Sequence, residues 1–216
     1  GPRPDDVARY QSKLQMDATM RAAGLSPPRT ARGSDGDAVA ALVADLGFPL
    51  IVKPDVGVGA EGTSLVHDRA QLDDALARGH GDLIVQERIV GAMATFDGLV
   101  DAHGAIVYAT SFAYAKGVLE FVSEQSDVHY YCRRDIPAPI ADVGERIVSA
   151  FTLRSRFFHI EVFVLQDGSV RPLEVNVRPP GGFTLDMMNY AADTDLYDVW
   201  ARIALGQSVA SFRYER

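Results

Sequence analysis

Apolar residues recur at helical spacing through residues 10–23 (YQSKLQMDATMRAA), and Gly24 with the Pro27-Pro28 pair closes the run, so a short helix is predicted there. A second helix is expected at 36–46 (GDAVAALVADL), stopped by Gly47, after which Pro49 leads into the apolar strand LIVK at 50–53. A glycine-rich stretch follows, DVGVGAEG at 55–62, then a strand TSLVH at 63–67, a helix at 69–78 and a strand LIVQE at 83–87. Together these read as a β-β-α-β lobe. Extended runs at 95–101 and 105–113 flank Asp101-Ala102-His103-Gly104, a hairpin turn by composition. Residues 114–137 are polar and aromatic without a clear period and read as a functional loop region. A helix at about 140–153, strands at 157–165 and 169–177, and helices at 184–192 and 195–205 complete an α+β pattern in two lobes.

Two stretches carry chemistry. Gly57-Val58-Gly59-Ala60-Glu61-Gly62 matches G-x-G-x-x-G, but a dinucleotide fingerprint needs a helix directly after it, and Thr63-Ser64-Leu65-Val66-His67 reads as a strand. A glycine loop between two strands is how kinases cover phosphates, and Lys53 would set an ammonium beside them. A flexible hairpin with a surface lysine is the plainer alternative. The more specific stretch is FFHIEVFVLQDGSVRPLEVNVRPPGG at 157–182. If Asp167-Gly168 forms a two-residue type I′ turn, counting outward sets Glu161 opposite Glu174, His159 opposite Asn176 and Phe157 opposite Arg178. Directly opposed carboxylates have Cβ atoms roughly 5 Å apart and repel, unless a cation sits between them or one keeps its proton. Such hard oxygen ligands suit Mg²⁺, with Asn176 as a neutral ligand and Arg178 as a planar fork for phosphate or carboxylate. A solvated polar sheet face would account for the same residues with no chemistry.

Composition narrows the partners. A net charge of −8 argues against nucleic acid, so an anionic substrate has to be met by local cations and metal. The single cysteine, Cys132, excludes an internal disulfide and points to a reducing, cytoplasmic setting. No apolar run approaches the roughly 20 residues that span a bilayer, and no signal-peptide pattern opens the chain, so no membrane partner is expected. Gly1-Pro2 resembles a protease-cleavage scar.

From about residue 10 to 205 the sequence resembles the ATP-grasp superfamily, which includes biotin carboxylase, carbamoyl-phosphate synthase and the D-alanine and L-amino-acid ligases. Lys13 followed by AAGLSPP resembles the family's opening lysine helix. FPLIVKPDVGVGAEGTSLV resembles the second lysine strand and phosphate loop, LIVQERIVG the hinge, and EVNVRPPGG the metal-binding E-x-N-x-R strand. The resemblance implies an α+β ATP-grasp fold, two lobes clasping a nucleotide cleft. The lysine helix would occupy 1–24, the small lobe 25–90 and the large lobe 91–216. It implies ATP and Mg²⁺ as cofactors, with Lys13 and Lys53 on the α- and β-phosphates and Gly57, Gly59 and Gly62 closing over the triphosphate. Gln86, Glu87 and Ile89 would hydrogen-bond adenine, mostly through the backbone. Glu161 and Glu174 would hold the metal with Asn176, and Arg178 would steady the transferring phosphoryl group. Family members that bind ribose from this strand carry an acid two residues after the hinge glycine; here Gly91 is followed by Ala92 and Met93. The family also usually places another α/β domain before the lysine helix, so a fragment that binds nucleotide and turns it over poorly is expected.

The activity implied is phosphoryl transfer from ATP to a small-molecule carboxylate, followed by attack of an amine or similar nucleophile, with a homodimer possible. The alternatives are a bicarbonate- or carbamate-phosphorylating enzyme and a non-catalytic ATP-binding module. Several residues are weaker candidates: His159 as acid or base against a hydrogen-bonding spacer, and Lys116 as a substrate cation against a solvated loop lysine. Tyr130, Tyr131, Arg133 and Arg134 could line an acceptor pocket or form an aromatic strand with a basic edge. Arg154 and Arg156 could be substrate cations or helix-end residues that suit the dipole, and Cys132 reads as structural.

Overall fold

The computed structural model describes residues 4–57, 61–115 and 129–214, which fall into two compact units split between Val90 and Gly91. The first unit opens with two helices where one is expected, α1 (Pro4–Gln11) and α2 (Lys13–Ala22). Ser12 divides them, because its extended backbone and its Oγ, accepting from Gln15 N at 3.2 Å, make it the N-cap of α2. The buried face of α2 is Lys13, Met16, Asp17 and Met20, a helical stripe in which charged residues hold core positions. Next come β1 (Thr30–Arg32), α3 (Gly36–Leu46), β2 (Leu50–Pro54), β3 (Ser64–Val66), α4 (Arg69–Arg78) and β4 (Leu83–Glu87). Their strands form one antiparallel sheet in the order β1-β4-β2-β3, so the expected lobe gains a short edge strand, β1. Leu50, Val52 and Val85 pack with Val39 and Leu42 of α3 and Leu72 of α4. By the two-residue alternation, the opposite face carries Lys53, Gln86 and Thr30.

The second unit is built from β5 (Ala92–Val100), β6 (Ile106–Thr110), β7 (Phe112–Tyr114), β8 (Tyr130–Cys132), α5 (Ala138–Ala150), β9 (Arg156–Val164), β10 (Val170–Asn176), α6 (Thr184–Ala191) and α7 (Leu196–Ala204). Its strands make a six-stranded antiparallel sheet in the order β10-β9-β5-β7-β8, with β6 also paired to β5. The extended run expected at 105–113 is interrupted at Ser111, and Tyr130–Cys132, expected within a loop, is a strand. On one face α5 sits against Phe96, which stacks on Phe158 with ring centroids 5.4 Å apart. On the other, Leu99, Tyr108 and Phe157 pack with Leu185 and Met188 of α6 and Leu196 and Val199 of α7. Among the described residues no helix is long and apolar enough to cross a membrane.

The β9–β10 hairpin corrects one expectation and reaches the same pairing by another route. Its loop is not a two-residue turn: Leu165 N donates to Ser169 O at 2.9 Å, leaving residues 166–168 outside the ladder, with Gly168 at φ +82°. The register then runs Val170↔Val164, Arg171↔Phe163 and Pro172↔Val162, and shifts at Leu173, a β-bulge. Beyond the bulge it runs Glu174↔Glu161, Val175↔Ile160 and Asn176↔His159. One extra residue in the loop and one in the bulge lie on opposite strands and cancel. The carboxylates therefore stand opposed as the turn arithmetic required, although the turn is different.

Candidate active site

In the first unit the polar groups gather around the start of α2. Lys13 is buried, and its Nζ donates to the carbonyl of Gly57 at 3.2 Å. Asp55, at the end of β2, fixes this helix start twice: its carbonyl accepts from Lys13 N at 3.0 Å and its Oδ1 from Leu14 N at 2.9 Å. Asp17, one turn along α2, accepts from Thr30 Oγ1 at 2.5 Å, and Gln86 Nε2 donates to the same hydroxyl at 2.9 Å. Burial pushes the Asp17 carboxyl up from 3.8 to about 6, against the pull of the Thr30 hydrogen bond and of Lys53. Lys53 is buried on the same sheet face and its charge acts on Asp17, so this unit buries two lysines and an aspartate.

The other glycine and hinge positions differ in what they demand. Gly62 adopts φ +69° with Pro54 close by, a conformation that favours glycine, whereas a Cβ at Gly57 would meet Pro54 only at 3.6 Å. Gly59 and Lys116 lie outside the described residues. The side chain of Gln86 is committed to Thr30, and the amide of Glu87 donates to Arg29 O at 2.8 Å while its carboxylate accepts from Arg29 N.

In the second unit the acids lie in two cross-strand rows on one sheet face. One row is Thr95–Glu161–Glu174, the other Thr110–Asp97–His159–Asn176. Asp97 is fully buried, accepts a short hydrogen bond from Thr95 Oγ1, and lies 2.6 Å from His159 Nδ1. His159 Nε2 in turn lies 3.4 Å from Glu161 Oε1. Burial opposes the charge on His159, but the Asp97 and Glu161 carboxylates outweigh it and raise the imidazole from 6.5 to about 10. The spacer is thus a cation wedged between two acids. Arg178 lies past the end of β10, exposed, with its Nη1 donating to Pro179 O at 2.9 Å. Met93 is buried in β5 and offers no acid to a ribose.

A divalent metal can be tested against this donor set. Among the described residues no group of three His, Cys, Asp or Glu side chains is gathered to hold one. Two opposed carboxylates and an amide instead suit an ion that takes its remaining ligands from phosphate oxygens and water, as Mg²⁺ does.

The remaining candidates have local duties. Arg154 donates to the carbonyls of Ala102 and His103 and Arg156 to that of Arg154, so both serve loops. Tyr130 stacks on Tyr114 and shares a 3.0 Å hydrogen bond with Thr184. Cys132 lies 3.2 Å from Thr110 Oγ1 and packs on the α6–α7 core. Sequence reasoning missed Asp17, Asp55, Thr95 and Asp97. Only the last two left a signal: polar residues two apart inside the apolar run AMATFDGLV.

A family model described as an ATP-grasp domain matches residues 46–186. The carbamoyl phosphate synthase large chain of Vibrio parahaemolyticus is 23% identical over 227 residues, covering 98% of this chain and 20% of that protein. D-alanine--D-alanine ligase B of Xanthomonas campestris is 30% identical over 182 residues, covering 80% of this chain and 57% of the ligase. The crystal structure of an L-amino acid ligase from Bacillus licheniformis superposes with a TM-score of 0.76 at 18% identity, over 98% of this chain and 51% of that one. At that identity the superposition shows the α+β fold. The chain spans from a fifth to somewhat over half of the length of these proteins.

Proposed function

The chain belongs to the ATP-grasp domain family, and from that premise we propose that it is the ATP-binding core of a ligase. The reaction is activation of a small-molecule carboxylate as an acyl phosphate for attack by an amine or similar nucleophile. The observation that carries this reading is the opposition of Glu161 and Glu174, with Asn176 two residues further along β10. Two opposed carboxylates beside a neutral amide oxygen are the hard donors that suit Mg²⁺, which completes its shell with phosphate oxygens and water. Mg²⁺ bound there would neutralise phosphate charge. Lys13 and Lys53 contact the α- and β-phosphates, and Gly57, Gly59 and Gly62 bring backbone amides to the triphosphate. Gln86, Glu87 and Ile89 border adenine. Arg178, free of the ladder at the end of β10, reaches for the transferring phosphoryl group. Buried Asp97 and His159 hold Glu161 in one orientation, as partners behind a metal ligand do.

Glu174→Gln tests the assignment. It removes a metal ligand and a like-charge repulsion together, so Tm stays level or rises. Mg²⁺-dependent ATP affinity falls by more than about tenfold, since even groups behind metal ligands are worth roughly 10–100-fold. Calorimetric titration of ATP with Mg²⁺ and with EDTA reads this directly; an unchanged Mg²⁺ dependence removes the metal from this hairpin. The likeness to carbamoyl phosphate synthase large chains favours a second reading, in which bicarbonate or carbamate is the phosphoryl acceptor. Phosphate release stimulated by bicarbonate but not by amino acids or other organic acids selects it.

A further inference from the structure

A pocket of about 340 Å³ in the second unit is lined by Tyr108 and Thr110 of β6, by Cys132, Arg133 and Arg134 where β8 ends, and by Ala192 after α6. In an extended chain, neighbouring side chains point to opposite sides. Here the strand stops at Cys132 and the chain bends at Arg134 and Asp135, and both arginines line the same pocket. Other described arginines, Arg29, Arg32 and Arg202 among them, lie within 4 Å of an aspartate. Arg133 and Arg134 pair with none of the described acids, and the Nε of Arg133 is buried without a hydrogen-bond partner. Two adjacent guanidinium groups repel each other, and a buried guanidinium N–H with no acceptor is destabilising. An oxyanion relieves both, and the guanidinium fork matches a carboxylate or a phosphate in particular. In a chain of net charge −8, such a site has to be local to attract an anion at all.

We propose that this pocket is an oxyanion site, taking a carboxylate or phosphate group of a small molecule between Arg133 and Arg134. Thr110 on its wall is in register with Asp97, and Asp97 with His159. The pocket thus begins at the end of that same cross-strand row, two strand spacings, roughly 10 Å, from His159. On the ligase reading, on which this last step rests, the bound group is a second acidic group of the substrate, away from the carboxylate that is activated.

The test titrates inorganic phosphate, and separately succinate, into the protein at fixed ionic strength. It compares wild type with Arg133→Gln/Arg134→Gln and with Arg178→Gln; Arg134→Gln alone, at an exposed position, serves if the double variant does not fold. Saturable binding of either anion is expected, weakened at least about tenfold in the pocket variants, with MgATP affinity within twofold of wild type. Which of the two anions binds more tightly identifies the group. Binding of neither anion, equal binding by the pocket variants, or loss in Arg178→Gln alone overturns the site. A chain that binds anion through Arg133 and Arg134 but neither binds nor hydrolyses MgATP retains the site and overturns only the ligase reading.

Discussion

Asp17 shows what a single residue can conceal. On a helical projection it falls on the buried stripe of α2 between Met16 and Met20, where an aspartate is out of place. Its carboxyl titrates near pH 6 in the folded chain and near 3.8 when unfolded. Below the lower value both states are protonated and the residue is neutral to stability. Between the two, the native state holds a proton that the unfolded state has released, so stability falls as pH rises; above about 6 the penalty is complete, on the order of 3 kcal/mol. Asp17→Asn keeps an acceptor for Thr30 and removes the titration. The variant should be more stable than wild type at pH 7.5 by up to that amount and match it near pH 4, as denaturant unfolding at several pH values will show. Equal stability at pH 7.5 would mean that Lys53 already compensates the charge. None of this was legible in the sequence, because a single helix from 10 to 23 hides Ser12 as a cap and Asp17 as a core position.

At the scale of elements, the hairpin and the helix above it were read with unequal success. The opposition of Glu161 and Glu174 was legible because the side-chain period of two is rigid, and the unread bulge at Leu173 happened to cancel the misread turn. Asp97 was not legible as a partner of His159, since nothing local says that β9 lies between β5 and β10. The strand β1 escaped because three residues carry no period. Gly144 is the least conspicuous element-level determinant. A Cβ there would lie 2.1 Å from the ring of Phe96, so this glycine sets how closely α5 approaches the sheet. Gly144→Ala gains up to about 1 kcal/mol of helix propensity and incurs overpacking of about 1–3 kcal/mol or more. A net loss of stability is expected, and in a double-mutant cycle Phe96→Leu should recover part of it. Simple additivity would place the strain elsewhere.

For the whole molecule, the α+β class follows from the order of the apolar patterns, whereas the buried polar groups of the first unit come from residues remote in sequence. If ATP binds as proposed, MgATP stabilises the native chain by mass action, about 2.7 kcal/mol at one hundred times Kd. The melting temperature should rise with MgATP and less with ATP in EDTA; no shift with saturating MgATP would argue for a chain that has lost nucleotide binding. The links between Asp55 or Gly57 and the start of α2 span 41 and 44 residues. Closing such a segment costs entropy that the assembled sheet carrying Asp55 offsets. During refolding, the Lys13 cation is therefore expected in place only when the unit around it is complete, and on the proposed reading a nucleotide would meet either a finished phosphate site or none.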